Sequence, residues 1–473
     1  MVFSSTIFLF LFLPVVLLAY HAAPRSGKNA VLVGASLLFY FWGERFFVAV
    51  MLASILANYG FGLAMERYRG RAGARAVVAL AVAANLGLLV AYKYSGFLLE
   101  NLNLGLAAAG LDPVALALPA HLPIGISFFT FQALSYVVDV FRGEAEVQRS
   151  PFRLSLYISL FPQLVAGPIV RYREIEAQLA ERRVDLVRMG LGVQRFVVGL
   201  GKKVLLATPL EAPVASVFDE PPLAELTLPI AWLGVFAYML QLYFDFSGYS
   251  DMAIGLGHML GFRFPENFRY PFAARSVREL WTRWHVSLTR WFRDYVYVPL
   301  GGNRAGAWRT YRNLLVVFVL CGLWHGASWN FVVFGLFHGV FLVLERFPAL
   351  AFLGRGPRLL QHVYVLGAWL FGLALFRGHG VDQAVALWGA MLGFAEGGSR
   401  SVTEFLTPEV LATLPVAFVA SLPVLPWLAR RLEGRTLAAP AGVVATAATC
   451  GVFVLSAVYL AASTHHPFIY FRF

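Results

Sequence analysis

The chain has 473 residues, 59% hydrophobic and only 14% charged, with a mean hydropathy of +0.68. This balance excludes an ordinary soluble enzyme and points to a polytopic integral membrane protein. The net charge of +12 sits in short basic loops between apolar segments, which assigns the arginines to orientation and lipid headgroups and excludes nucleic acid as the partner. The cysteines, Cys321 and Cys450, both lie in apolar stretches and offer neither a disulfide framework nor a metal cluster.

The N-terminal stretch at about 4–20 lacks the positive segment of a secretory signal and reads as a first, uncleaved span. Further apolar segments follow at 29–42, 46–65 and 74–93. The basic loop from Glu66 to Arg71 between the last two is cytoplasmic by the positive-inside rule, which places the N-terminus outside the cytoplasm. From about 104 to 170 the prolines at 113, 119, 123, 151, 162 and 168 break the apolar runs. Broken helices survive at membrane depth where protein or a water-filled cavity satisfies the freed backbone, so a cavity is expected here. Gln132, Asp139 and Gln163 stand in apolar company there, either bonding neighbouring helices or lining that cavity.

The segment from Arg171 to Arg188 reads as another cytoplasmic loop, and Lys202 and Lys203 as side chains that reach an interface. An apolar run from Leu226 then ends in LYFDFSGYSDMAIGLGHMLGF, with Asp245 and Asp251 among serines and tyrosines. Two carboxylates at such depth form either a proton relay or a satisfied helix-packing network.

The stretch from Ser276 to His338 holds three of the ten histidines and six of the eleven tryptophans. Ser276 and Glu279 have capping-box spacing, and Trp281, Trp284, His285, Leu288, Phe292 and Tyr295 recur at three- and four-residue steps. The spacing predicts one amphipathic helix at the membrane surface, rings toward the acyl chains, ended by Pro299, Gly301 and Gly302. The apolar run at 314–323 then carries Trp324 and His325 to membrane depth, where an ionisable side chain is a functional-site candidate. His338 would share its reaction centre only if Gly326, Ala327 and Ser328 break the helix. Later spans are expected at 329–345, 359–377, 383–395, 408–428 and 437–462, the last running outward from a basic loop at 430–435.

His285 and His325 are 40 positions apart and show no metal-ligand spacing, so no metal is expected. A neutral imidazole suits a general base that takes the proton of an attacking hydroxyl. The plainer reading of each is a packing histidine.

The words WTRWHVSLTRWFRDYVYVPLGGNR and LWHGASWNFVVFGLFHG, with LFPQLVAGPIVR and FDFSGYSDMAIGLGHMLGF, resemble the membrane-bound O-acyltransferase family across about 120–345. They are closest to its bacterial branch, which serves alginate, peptidoglycan and cellulose acetylation and teichoic-acid D-alanylation. The resemblance implies one membrane domain over 1–473, with the motif-bearing core at about 120–345 and a C-terminal span and tail at about 437–473. The implied fold is all-α around a central funnel or tunnel, and the apolar stretches of the chain supply about 11–13 transmembrane helices with re-entrant or amphipathic pieces. It implies His325 as the catalytic histidine and His285 as the second. Trp281, Trp284, Asp294, Asn303, Trp324, Asp245 and Gln163 are candidates for the substrate path.

The resemblance further implies an acyl thioester, acetyl-CoA, as donor substrate with no bound cofactor. An extracytoplasmic acetyltransferase is the implied partner, and the bacterial inner membrane the implied location; the basic loops put both termini on the extracytoplasmic side. The ending FIYFRF is similar to the family's terminal aromatic motif, which makes Tyr470 a candidate acyl acceptor; the alternative is an interfacial aromatic anchor. Rival readings are D-alanyl or other acyl transfer to a cell-wall polymer, and a proton-coupled transporter or flippase working through Asp245 and Asp251.

Overall fold

The computed structural model describes residues 1–119, 121–219, 226–304, 306–347, 356–395, 400–432 and 438–462. These are helical throughout, in two compact units: 1–193 with 253–265, and 194–252 with 266–473.

The first unit opens with α1 (Leu13–Ala22), α2 (Lys28–Gly43), α3 (Phe47–Arg67), α4 (Ala72–Leu89) and α5 (Ser95–Ala108). The apolar run expected to end near 93 continues through a π-turn, so that Ala72–Ala108 forms one long span. Asn58 of α3 and Asn85 of α4 exchange amide hydrogen bonds of 3.1 and 2.8 Å, which satisfies both side chains without water. The proline-rich stretch yields α6 (Ile126–Arg142), α7 (Pro151–Ser159), α8 (Phe161–Leu164) and α9 (Tyr172–Ala180). α6 is buried on nearly every side, and Tyr157 donates to the Val170 carbonyl at 2.8 Å, taking up a backbone group freed by the breaks.

α10 (Leu186–Gly201) leads into the second unit, which continues with α11 (Glu211–Phe218) and α12 (Leu228–Met259). α10 and α12 cross closely: a Cβ on Gly199 would collide with the Gly248 carbonyl. Then come α13 (Val277–Arg283), α14 (Val286–Phe292), α15 (Ala307–His325), α16 (Trp329–Leu344), α17 (Arg358–Arg377), α18 (Val381–Met391), α19 (Pro408–Ala420), α20 (Val424–Leu432) and α21 (Ala438–Ala462). α15 and α16 form a tight antiparallel hairpin because Gly322 and Gly335 leave room for the facing carbonyls of Phe331 and Phe318.

Among the described residues five helices are long and apolar enough to cross a bilayer: Phe47–Arg67, Ala72–Ala108, Leu228–Met259, Arg358–Arg377 and Gly442–Ala462. α19 and α20, bent by 56°, make a sixth if taken as one span. The expected 11–13 crossings counted every apolar stretch, whereas α1 and α16 belong to shorter apolar helices. The apolar window of α12 is 72% buried, against 22% for α3 and 11% for α21, so α12 is a core helix while α3 and α21 turn their apolar surface to lipid.

Candidate active site

The structure divides the expected surface helix in two. Ser276 caps α13 as expected, its hydroxyl accepting from Glu279 N–H at 3.0 Å. The reciprocal half of the capping box shifts by one residue, because the Glu279 carboxylate accepts from Arg275 N–H at 2.8 Å. α13 stops at Arg283, Trp284 is extended, and His285 takes a left-handed backbone with φ 44° before α14 begins. A non-glycine residue held there costs about 1–3 kcal/mol, so the surroundings must hold it. They do: Arg269 N–H donates to the Arg283 carbonyl and Val286 N–H to the Asn267 carbonyl, both at 2.9 Å, tying the 267–269 loop across the break. The rings do not face acyl chains either. Trp281 and Trp284 are 4% exposed and His285 is 0% exposed, all enclosed by protein.

Asn267 fixes the His285 ring. Its Oδ1 accepts from Ser287 N–H at 3.2 Å and Ser287 Oγ at 2.9 Å, while its Nδ2 donates to Ser250 Oγ at 3.1 Å. The oxygen 3.1 Å from His285 Nδ1 is therefore an acceptor, which assigns the proton to Nδ1 and the lone pair to Nε2. Nε2 is buried and makes no hydrogen bond. Burial holds this imidazole well below its ordinary value, and the nearby His325 lowers it further.

α15 delivers His325 as its last residue, and Nδ1 donates to the Cys321 carbonyl one turn back at 2.7 Å, which again leaves Nε2 as the basic nitrogen. Trp324 lies between the two histidines, its ring 5.8 Å from His285 and 5.0 Å from His325. His325, Trp281, Trp284, Phe334, Trp369 and Phe376 surround a cavity of about 10 Å³, room for about one water.

The helix breaks after His325, and α16 folds back beside α15. His338 then packs against Trp281, Phe334 and Trp369, with neither ring nitrogen hydrogen-bonded. It shares three aromatic walls of the His325 cavity, Trp281, Phe334 and Trp369, without lining it.

Beyond Phe376 lies a polar chamber of about 290 Å³ with Gln241, Ser328, Asn330, Asp219, Arg377 and His379 in its wall. The Phe376 ring, 5.1 Å from His325, borders both the cavity and the chamber. Asn330 braces this wall by donating to the carbonyls of Leu375 at 3.2 Å and Gly378 at 2.9 Å. Burial alone would raise the Asp219 carboxyl, but hydrogen bonds from Arg377 and His379 outweigh it and hold the group below its usual value.

The α12 carboxylates are committed elsewhere. Asp245, 1% exposed, pairs with Lys203, and Asp251 binds Arg195 at 2.8 Å and Lys202 at 2.6 Å. Arg195 also reaches Glu266 at 2.6 Å, beside the asparagine that holds His285. Lys202 and Lys203 thus serve as counter-ions within the protein, correcting the expectation of interfacial side chains.

Of the remaining candidates, Asp294 pairs with its neighbour Arg293 at 2.7 Å and Asn303 is an exposed turn residue. Asn313 holds that turn, donating to the carbonyls of Leu300 and Gly302. Gln163 belongs to the first unit, where its amide donates to the Tyr157 carbonyl at 2.6 Å. Tyr470 lies outside the described residues. Sequence reasoning missed Asn267, in a loop, and Asn330, in the first turn of α16, single asparagines with no periodic signal.

Residues 118–381 match the membrane-bound O-acyltransferase family, a range that takes in both histidines. The chain is similar to a probable alginate O-acetylase, AlgI, of Azotobacter vinelandii, at 38% identity over the whole of both chains. A peptidoglycan O-acetyltransferase of Helicobacter pylori is 34% identical across 86% of this chain and 83% of its own. A teichoic acid D-alanyltransferase of Bacillus subtilis is 29% identical across 47% of this chain and 59% of its own. The chain belongs to the membrane-bound O-acyltransferase family and is a multi-pass membrane O-acyltransferase.

Proposed function

We propose that this protein takes an acetyl group from a cytoplasmic thioester, acetyl-CoA, and passes it across the membrane for O-acetylation of an exported polysaccharide of the alginate type. Full-length similarity to the probable alginate O-acetylase favours this polymer over teichoic acid, whose D-alanyltransferase aligns with less than half of the chain.

The observation that carries the chemistry is the Nδ1–H bond from His325 to the Cys321 carbonyl, which presents Nε2 as a base at an aromatic-walled cavity. In the transfer step His325 Nε2 takes the proton of the acceptor hydroxyl as that oxygen attacks the thioester carbonyl. The C–O bond forms, the C–S bond breaks, and the departing thiolate takes the proton. His285 acts on His325 across the Trp324 ring: a positive charge on either imidazole disfavours one on the other.

Rotation of Phe376 would join the cavity to the polar chamber, through which the acceptor approaches. Trp281, Trp284 and Trp324 shape the acyl path, and the 1–473 chain works as one membrane domain. Asp294, Asn303 and Gln163 are retained as path residues on the family resemblance alone.

The basic loops support a topology in which the His325 end of α15 lies toward the extracytoplasmic side with both termini outside, and the bacterial relatives support an inner-membrane location. There an extracytoplasmic acetyltransferase would receive the group. Tyr470 is the proposed carrier: its phenol oxygen accepts the acetyl group as an ester and releases it to the partner.

Purified protein given acetyl-CoA labelled in the acetyl group tests the reading. Cleavage should depend on His325, and label should appear on the C-terminal peptide of the wild type but not of Tyr470→Phe. Label on that peptide in the variant, or polymer acetylation unchanged by it, would remove Tyr470 from the route.

A further inference from the structure

A cavity of about 430 Å³, larger than the histidine cavity and the polar chamber, lies within the first unit, where α3 ends, α4 begins and α6 ends. Its lining contains no histidine, cysteine, serine or threonine, so it is built to bind and not to react. Arg69, Arg71 and Arg75 enter its wall, and among the described residues none of the three has an ion-pair partner. The carboxylate in the wall, Glu66, already accepts from Arg149 at 2.7 Å. The cavity therefore carries an uncompensated positive charge.

Two independent features point to what it takes. Ala72 and Ala74 of the first turn of α4 line the cavity, and the N-cap, Arg71, makes no side-chain cap. The positive end of an 18-residue helix, without a side-chain cap, thus faces the same space as the guanidinium groups. The opposite wall is apolar, with Met65, Val140 and Phe141. α3 and the α4–α5 span are only 22% and 17% buried, so both face lipid, and the loop joining them lies at headgroup level.

We propose that this cavity holds the phosphate of an anionic phospholipid of the cytoplasmic leaflet, with an acyl chain along the Met65–Phe141 wall. Arg69, Arg71 and Arg75 contact the phosphate oxygens, and the bound lipid fixes the α3–α4 turn. The site is independent of the acyl-transfer reading.

The test uses the full chain in detergent, stripped of native lipid and titrated with phosphatidylglycerol in a phosphatidylcholine background. Bound lipid is counted by native mass spectrometry. One equivalent of phosphatidylglycerol should be retained, less of it at high salt. In the triple variant Arg69→Gln, Arg71→Gln, Arg75→Gln affinity should fall by about two orders of magnitude. Arg75→Gln alone, a change on an exposed position, guards against a triple variant that does not fold and should weaken binding about fivefold. Equal retention by the wild type and both variants would overturn the proposal. Displacement of the lipid by coenzyme A but not by dephospho-coenzyme A would also overturn it, assigning the arginines to a soluble phosphate ligand instead.

Discussion

Two polar clusters lie inside the second unit and handle burial in opposite ways. In the α10–α12 cluster Asp245, Asp251 and Glu266 face Lys203, Lys202 and Arg195, so each carboxylate has a cation within reach. In the histidine cluster His285 Nε2 and both nitrogens of His338 are buried without a hydrogen-bond partner, walled by aromatic rings. A fully paired carboxylate is poorly suited to carry a proton, because protonating it strands its cation. A neutral imidazole with an open nitrogen is suited to it. The contrast favours an architectural role for the ion cluster and is consistent with the proposed use of His325 and His285 in chemistry, and it argues against a transporter that works through Asp245 and Asp251.

The comparison can be broken most sharply at His325. Replacing it with Gln should lower acyl transfer about 10²–10⁴-fold, the usual contribution of a positioned acid–base group, while leaving the thermal midpoint close to wild type. A comparable loss of both would reduce the residue to a packing role.

Asp245→Asn sits on the other side of the contrast. It strands a buried Lys203 and should cost about 3–5 kcal/mol of stability, read as a lower thermal midpoint, with activity per folded molecule largely kept. Activity lost at an unchanged midpoint would move Asp245 into the chemistry.

Asn267→Ala sharpens the histidine side, since it leaves His285 Nδ1–H and Ser287 without their acceptor at a cost of about 1–3 kcal/mol. Up to about a hundredfold loss of kcat with little change in donor KM is expected. Recovery in Asn267→Gln would not be, because the longer side chain misplaces the oxygen.

The smallest effect concerns pH. The folded-state value of His285 is depressed, so unfolding takes up a proton at this site wherever pH lies below the free-imidazole value of about 6.5. Stability owed to the neutral ring is intact above that pH and is lost as pH falls below it. His285→Gln should therefore show a shallower fall in thermal midpoint on acidification than wild type.

What could be read in the sequence follows the same division. Helices announced by a local signal were legible: the Ser276 cap, and apolar runs that became α3, α16 and α17 within a few residues of their expected ends, while α15 begins seven residues before its apolar run. The family motifs singled out His285 and His325, and the chain folds them to either side of Trp324. The helix break at His285 was not legible, because periodicity continues through it and the cause, Asn267, is a loop residue 18 positions earlier. The same periodicity placed Trp281 and Trp284 against lipid, when their partners are Trp369, 88 and 85 positions later. The fate of Lys202 and Lys203 depended on carboxylates more than 40 positions along the chain. Spacing reports which face a residue occupies, and only long-range pairing decides what covers that face.

The most direct measurement sets the two clusters side by side: single-turnover cleavage of labelled acetyl-CoA by the wild type, by His325→Gln, and by a double variant, Lys203→Met with Asp245→Leu, that removes the buried ion pair whole. Cleavage retained in the double variant and lost in His325→Gln is the result this account expects. Cleavage lost in the folded double variant and retained in His325→Gln would contradict it.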